Sequence, residues 1–235
     1  MEQEALLKVR DLTAGYGEVS ILKNISFDLR EGDITLLLGT NGSGKTTLLK
    51  TIAGLLNASS GKIIFDGKDI TGLPVAERRR IGITFASEDT YFPTLTVKEN
   101  LLMSMGRQHR AYEQKFEEIF HFFPELEERA RSRASSLSGG QRKMLIMGRA
   151  IASGGRIIVI DEPSSGLSPL FVDKIIDSLT VLKKKKQTIL LAEQNVEFAS
   201  LAEELGILDE GRMAFFGRKE EALDNDVIRK TYFSI

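Results

Sequence analysis

The chain has 235 residues, 42% hydrophobic and 28% charged, with a formal net charge of −1 and no cysteine. That length allows one large domain with a substantial core, and the charge balance excludes an electrostatic drive toward nucleic acid. The missing cysteines exclude disulfides, thiolate metal sites and thiol catalysis. Met1-Glu2-Gln3-Glu4 shows no basic region leading into an apolar stretch, so no signal peptide is expected. The apolar runs fall far short of the roughly 18 residues that a membrane-spanning helix needs. The chain therefore reads as soluble, with any membrane role coming through a partner.

Short β-rich runs alternate with helical patterns, which predicts an α/β fold with a largely parallel sheet. The first strands are expected over Leu6–Leu12, Ile21–Leu29 and Ile34–Leu38. The third leads into Gly39-Thr40-Asn41-Gly42-Ser43-Gly44-Lys45-Thr46, which satisfies G-x-x-x-x-G-K-[ST] at every fixed position. Glycines there let backbone N–H groups turn inward around phosphate oxygens, and the start of the following helix, Thr47–Leu55, adds its positive dipole. Lys45 is placed to reach the β- and γ-phosphates of a nucleotide and the Thr46 hydroxyl to ligate Mg²⁺, with Thr47 completing the set that faces the nucleotide.

Further strands are predicted at Lys62–Phe65 and Gly82–Phe85, with Arg78–Arg80 ending a short helix between them as a solvated basic turn. From about residue 88 to 153 the β signal vanishes. Val97–Met105 and Tyr112–Phe123 carry helical apolar spacing, and Thr96 with Glu99 forms a capping box, so this stretch is expected to be an inserted helical subdomain. Phe120, Phe122 and Phe123 read as its core; His109 and His121 lack partners at metal-ligand spacing.

Leu137-Ser138-Gly139-Gly140-Gln141 then offers a hydroxyl, two glycine N–H groups and a helix start near Gln141. This is a second anion site in a chain that already has one. The strand Arg156–Ile160 ends in Asp161-Glu162, where ligands bind in parallel sheets. Asp161 suits Mg²⁺ and Glu162 suits polarising the attacking water. Pro163 to Gly166 make a turn, and Ser168-Pro169 is expected to cap a helix that ends at Lys183–Lys186. Strands Thr188–Ala192, Leu205–Leu208 and Met213–Phe216 follow, the last two joined by a turn at Asp209–Arg212.

The glycine loop, the Leu137–Gln141 run and the apolar strand with Asp161-Glu162 occur in an order and spacing that resembles the ABC ATPases over nearly the whole chain. The resemblance implies a P-loop NTPase core with an N-terminal antiparallel β part and the helical insert carrying the signature run. It also implies two ATP molecules sandwiched head-to-tail, with Ser138, Gly139, Gly140 and Gln141 of one subunit completing the site of the other. The companion is a second copy or a related ATPase, and transmembrane permease subunits supply the membrane contact at the inner face of the cell membrane.

Other positions take their roles from this resemblance. Tyr16 matches the aromatic that stacks on adenine. Glu88 stands where the family usually has glutamine, in the loop that senses the γ-phosphate and meets the permease, and a carboxylate there is a candidate Mg²⁺ ligand. Ser168 replaces an aspartate. Gln194 follows the strand Thr188–Ala192 where most relatives place a histidine; its amide donates a hydrogen bond but holds no proton. Glu162 is left as the base, and slow hydrolysis is an implied outcome. Glu88, the run Asp161–Pro169, Glu193-Gln194-Asn195, and the C-terminal Ala222–Asp226 and Arg229–Tyr232 are similar to the smaller ATPase of branched-chain amino-acid importers. The alternatives are a non-transport protein acting on ribosomes or DNA and a regulatory subunit that binds ATP with weak hydrolysis.

Overall fold

The computed structural model describes residues 5–105, 112–228, 230 and 232. Residues 1–4, His109, Arg229 and Thr231 lie outside them. Two sheets share the work. The smaller is antiparallel in the order β2-β1-β4-β5, built from β1 (Ala5–Tyr16), β2 (Val19–Arg30), β4 (Ala58–Phe65) and β5 (Lys68–Asp69). The larger has the order β10-β9-β3-β8-β7-β6. It comprises β3 (Ile34–Leu38), β6 (Ile83–Ala86), β7 (Ile157–Asp161), β8 (Thr188–Glu193), β9 (Glu204–Asp209) and β10 (Arg212–Arg218). It is parallel except for the β9–β10 hairpin, as the sequence predicts.

The apolar strands of the larger sheet are covered on both faces, and their residues divide with the two-residue period of a strand. Ile34, Leu36, Leu38, Ile158, Ile160, Ile189 and Leu191 join one core. Leu37, Ile157, Val159, Leu190 and Ala192 join the other, with β1, β2, and α1 (Lys45–Ala53). The first core is closed by helices α3 (Val97–Met105), α4 (Tyr112–Phe122), α5 (Pro124–Glu128), α6 (Gly139–Ser153) and α7 (Pro169–Lys184). Phe123 is fully buried among them, and Phe120 and Phe122 pack against the same core. The Thr96–Glu99 box starts α3, the Glu99 carboxylate accepting from the Thr96 N–H and hydroxyl. α2 (Val75–Arg80), α8 (Lys219–Asp224) and α9 (Asp226–Ile228) are short, and Ala222 and Ile228 of the last two join the first core.

Several expectations are corrected. β1 runs to Tyr16 instead of stopping at Leu12, because a bulge hides its pattern. Leu7 and Val9 are buried, then Leu12 and Ala14. The inward phase changes at Asp11, whose φ is 47°, and the register shifts there. β2 does the same at Asn24, φ 55°, between buried Leu22 and Ile25. Gly61 of β4 accommodates the first bulge, since a Cβ there would stand 2.5 Å from the Asp11 carbonyl. The first helix is Lys45–Ala53, not Thr47–Leu55, and it ends where Gly54 turns left-handed. The helix expected near Gln141 begins at Gly139 with Ser138 as its N-cap. Ser168 occupies the N-cap position of α7 but its side chain makes no capping bond.

Arg78 is not a solvated helix end. It is 2% exposed. Its guanidinium donates to the carbonyls of Thr51, Ile52, Thr71 and Leu73. Burial holds its pKa below the usual guanidinium value.

At the other end of the sheet, Glu204 is 5% exposed, its Oε2 has no partner, and Arg30 is 3.8 Å from its Oε1. Burial pushes its pKa up. The folded state therefore binds its proton more tightly than the unfolded chain, and wild-type stability from this group falls as pH rises through that window. Glu204→Gln should stabilise the protein at neutral pH by roughly 1 kcal/mol, the scale of one poorly paired buried group. Denaturant midpoints of the two proteins should converge on acidification.

Candidate active site

Because β3, β6, β7 and β8 are parallel neighbours, their carboxyl ends open on one edge. Leu38 pairs with Glu193, and Asp161 with Ala192, so the segments following these strands meet there. The glycine loop leaves β3 and enters α1, with Gly42 at φ 82° and Gly44 at φ 107°. Gly39 is crowded, since a Cβ would lie 2.5 Å from both the Leu208 carbonyl and Ser43 Oγ. Ser43 Oγ is buried without a partner, while Thr40 and Asn41 are exposed at the rim. Thr47 is buried in the first turn of α1.

Lys45 is 3% exposed, and its Nζ donates to the Gly39 and Thr40 carbonyls at 2.7 and 3.1 Å. The same Nζ is 3.2 Å from Glu162 Oε1. The Thr46 hydroxyl donates to Asp161 Oδ1 at 3.1 Å. Burial raises the Asp161 pKa, opposed by that hydrogen bond and by Lys45 and Lys50, and reinforced by the charge of Glu162. Gln194 Nε2 donates to Asn41 Oδ1 at 2.6 Å and to Glu162 Oε1 at 3.3 Å. One carboxylate oxygen of Glu162 thus pairs with the charge of the loop lysine and accepts from the glutamine after β8.

Glu88 approaches the same cleft from the single turn Glu88–Thr90 after β6. The cleft is lined by Thr46, Glu88, Asp161 and Glu162. The Glu88 carboxylate is 3.0 Å from Lys143 Nζ. Tyr16 is 51% exposed at the end of β1, not packed into the sheet.

Ser138 and Gln141 satisfy each other. Ser138 Oγ accepts from the Gln141 N–H at 3.3 Å, and Gln141 Oε1 from the Ser138 N–H at 3.0 Å. Ser138 and Gly139 are exposed at the start of α6. Ser138, Gly140 and Gln141 are absent from the lining of the cleft around Thr46 and Glu162.

Two supports escaped sequence reasoning. Glu193 is 2% exposed. Its carboxylate accepts from the N–H groups of Ser164 and Gln194 at 2.7 and 3.1 Å, binding the turn after β7 to the one after β8. An acidic residue closing a continuously apolar strand was the available signal. Gly211, φ 78°, sits in the β9–β10 turn, donates to the Ser43 carbonyl at 3.0 Å and accepts from the Lys23 N–H at 2.8 Å. No local sequence feature marks that brace.

The cradle, the acidic strand end and the sheet order define a P-loop nucleotide site. The chain belongs to the ABC transporter family, whose pattern its residues 22–165 match. It is 37% identical to the probable branched-chain amino acid transport ATP-binding protein LivF of Archaeoglobus fulgidus, over 98% of this chain and 99% of that protein. It is 34% identical to the high-affinity branched-chain amino acid transport ATP-binding protein BraG of Pseudomonas aeruginosa, over 97% and 99% of the two chains. Its structure superposes at TM-score 0.81 and 28% identity on an ATP-binding cassette of an ABC transporter in its ADP conformation, over 99% of this chain and 100% of that one. A dimeric cassette in a post-hydrolysis state with ADP and Pi matches at TM-score 0.81 and 25% identity, over 91% and 98%. The chain is accordingly an ATPase of a transporter, and it binds adenine nucleotide.

Proposed function

We propose that this chain is the motor subunit of an importer for branched-chain amino acids or related small polar solutes. The observation that carries the reading is the shared Glu162 oxygen. It joins the phosphate-binding lysine, the glutamine after β8 and the turn after β7 in one cleft. The relatives named for branched-chain amino-acid transport support the solute class.

Gly39 to Thr47 hold the triphosphate, Lys45 turning from the loop carbonyls to phosphate oxygens, and Tyr16 stacks on the base. The hard oxygens of Thr46 and Asp161, already 3.1 Å apart, suit Mg²⁺, with Glu88 facing the same cleft. The metal neutralises phosphate charge when bound. Glu162 polarises a water for in-line attack on the γ-phosphorus. A water oxygen–phosphorus bond forms, the bond to the ADP oxygen breaks, and the water proton passes to the carboxylate. Gln194 holds that carboxylate and the attacked phosphate in register.

The Ser138–Gln141 helix start of a second ATPase subunit, a copy or a related chain, exposed at Ser138 and Gly139, closes over the nucleotide, and that closure drives the permease. Among the described residues no helix is long and apolar enough to cross a membrane. We place the chain at the inner membrane face, held by the permease through the loop at Glu88 and the residues 88–153 subdomain. A regulatory, weakly hydrolysing role rests on Gln194 and Ser168 alone.

Ser138→Arg tests the reading, because it leaves the lysine cradle intact and obstructs the proposed lid. The variant should bind Mg-ATP within about twofold of wild type by equilibrium fluorescence, yet lose dimer formation and ATP-driven leucine uptake in vesicles holding the permease and companion ATPase. Undiminished uptake would remove the lid from the scheme. Transport of other solutes but not branched-chain amino acids would reassign the substrate.

A further inference from the structure

Lys143 is a buried cation that the reaction above does not use. It sits in the second turn of α6, the helix capped by Ser138, and is 7% exposed. Its Nζ donates to the main-chain carbonyl of Glu162 at 2.9 Å and lies 3.0 Å from the Glu88 carboxylate. Three segments therefore converge on one ammonium: the signature helix, the turn bearing the proposed base, and the loop after β6.

The Glu162 backbone needs this support. Its φ is 44°, a left-handed conformation that is strained for a non-glycine residue. Its N–H is pinned by the Ala192 carbonyl at 2.9 Å, and its own carbonyl is the group that Lys143 holds. Both peptide groups are thereby fixed, which aims the carboxylate toward Lys45 and Gln194. An ammonium with three donors serves the carbonyl and the carboxylate together, so a movement of α6 or of the Glu88 loop acts on the aim of Glu162.

We propose that Lys143 is a positioning residue that couples the signature helix and the Glu88 loop to the catalytic carboxylate of the same subunit. This rests on the assignment of Glu162 as base. Lys143→Met keeps the volume of the side chain and removes its donors. In single-turnover cleavage at saturating Mg-ATP, it should lower the rate about tenfold or more. Its Mg-ATP Kd should stay within about twofold and its thermal midpoint near wild type, and Lys143→Arg should restore most of the rate. Glu88→Gln should slow cleavage less and add little to the loss in Lys143→Met, because both act through one contact.

Wild-type cleavage by Lys143→Met, a parallel loss of affinity and rate, or fully additive losses would each overturn the coupling. Should Lys143→Met not fold, Lys143→Leu, which likewise carries no donor, is held to the same criteria. Glu162→Gln runs alongside: normal cleavage by that variant discards the base, whereas an inert Glu162→Gln beside a fully active Lys143→Met discards the coupling alone.

Discussion

Glu162→Gln should bind Mg-ATP as tightly as wild type, accumulate as a stable dimer with its companion subunit, and lose at least about a hundredfold in turnover. The magnitude is that of removing a positioned general base, whose contribution is typically 10²–10⁴-fold. The substitution keeps size and hydrogen bonding, so Gln194 retains an acceptor in the amide oxygen, and the Lys45 contact becomes charge to dipole. The ground-state cradle of backbone N–H groups is untouched, which separates the loss of rate from any loss of binding. Single-turnover phosphate release and size-exclusion chromatography with Mg-ATP measure the two halves of the expectation. Phosphate release at the wild-type rate would remove Glu162 as base; a variant that stays monomeric with its companion present would remove the closed dimer.

Arg78→Leu should destabilise the fold by roughly 3–5 kcal/mol, read as a lowered denaturant midpoint at unchanged slope. Four carbonyls lose the guanidinium as a donor, and the two whose bonds are buried, Thr51 and Ile52, are in the last turn of α1. A cation there also opposes the negative end of the helix. Arg78→Lys should recover only part of the loss, because three ammonium hydrogens do not span the four acceptors that the planar guanidinium reaches. α1 begins with Lys45 and Thr46, so the same substitution should weaken nucleotide binding even where the protein stays folded. A stability within about 0.5 kcal/mol of wild type would show that water replaces the guanidinium at little cost.

Taken alone, the sequence determined the α/β class, the succession of most strands along the chain and the glycine loop between β3 and α1. Those features are carried by local chemistry: a short continuous apolar run, a glycine where φ must be positive, a carboxylate at the end of a strand. Such continuous apolar runs placed β3, β7 and β8 within a residue of their ends. The two-residue alternation of β1 and β2 is instead broken at Asp11 and Asn24, where a single bulged residue reverses which face points inward.

Tertiary structure alone decided the relations between segments distant in the chain. That Arg78 is a buried cap and not a solvated basic turn depends on Gly54 and the end of α1. That Glu193 joins two turns, and that Lys143 reaches the Glu162 carbonyl, depends on three parallel strands ending at one edge. A side chain's partners across 19 to 29 residues leave no mark on its neighbours in sequence. Their energies arise from desolvation and hydrogen-bond geometry, which exist only once the segments have met.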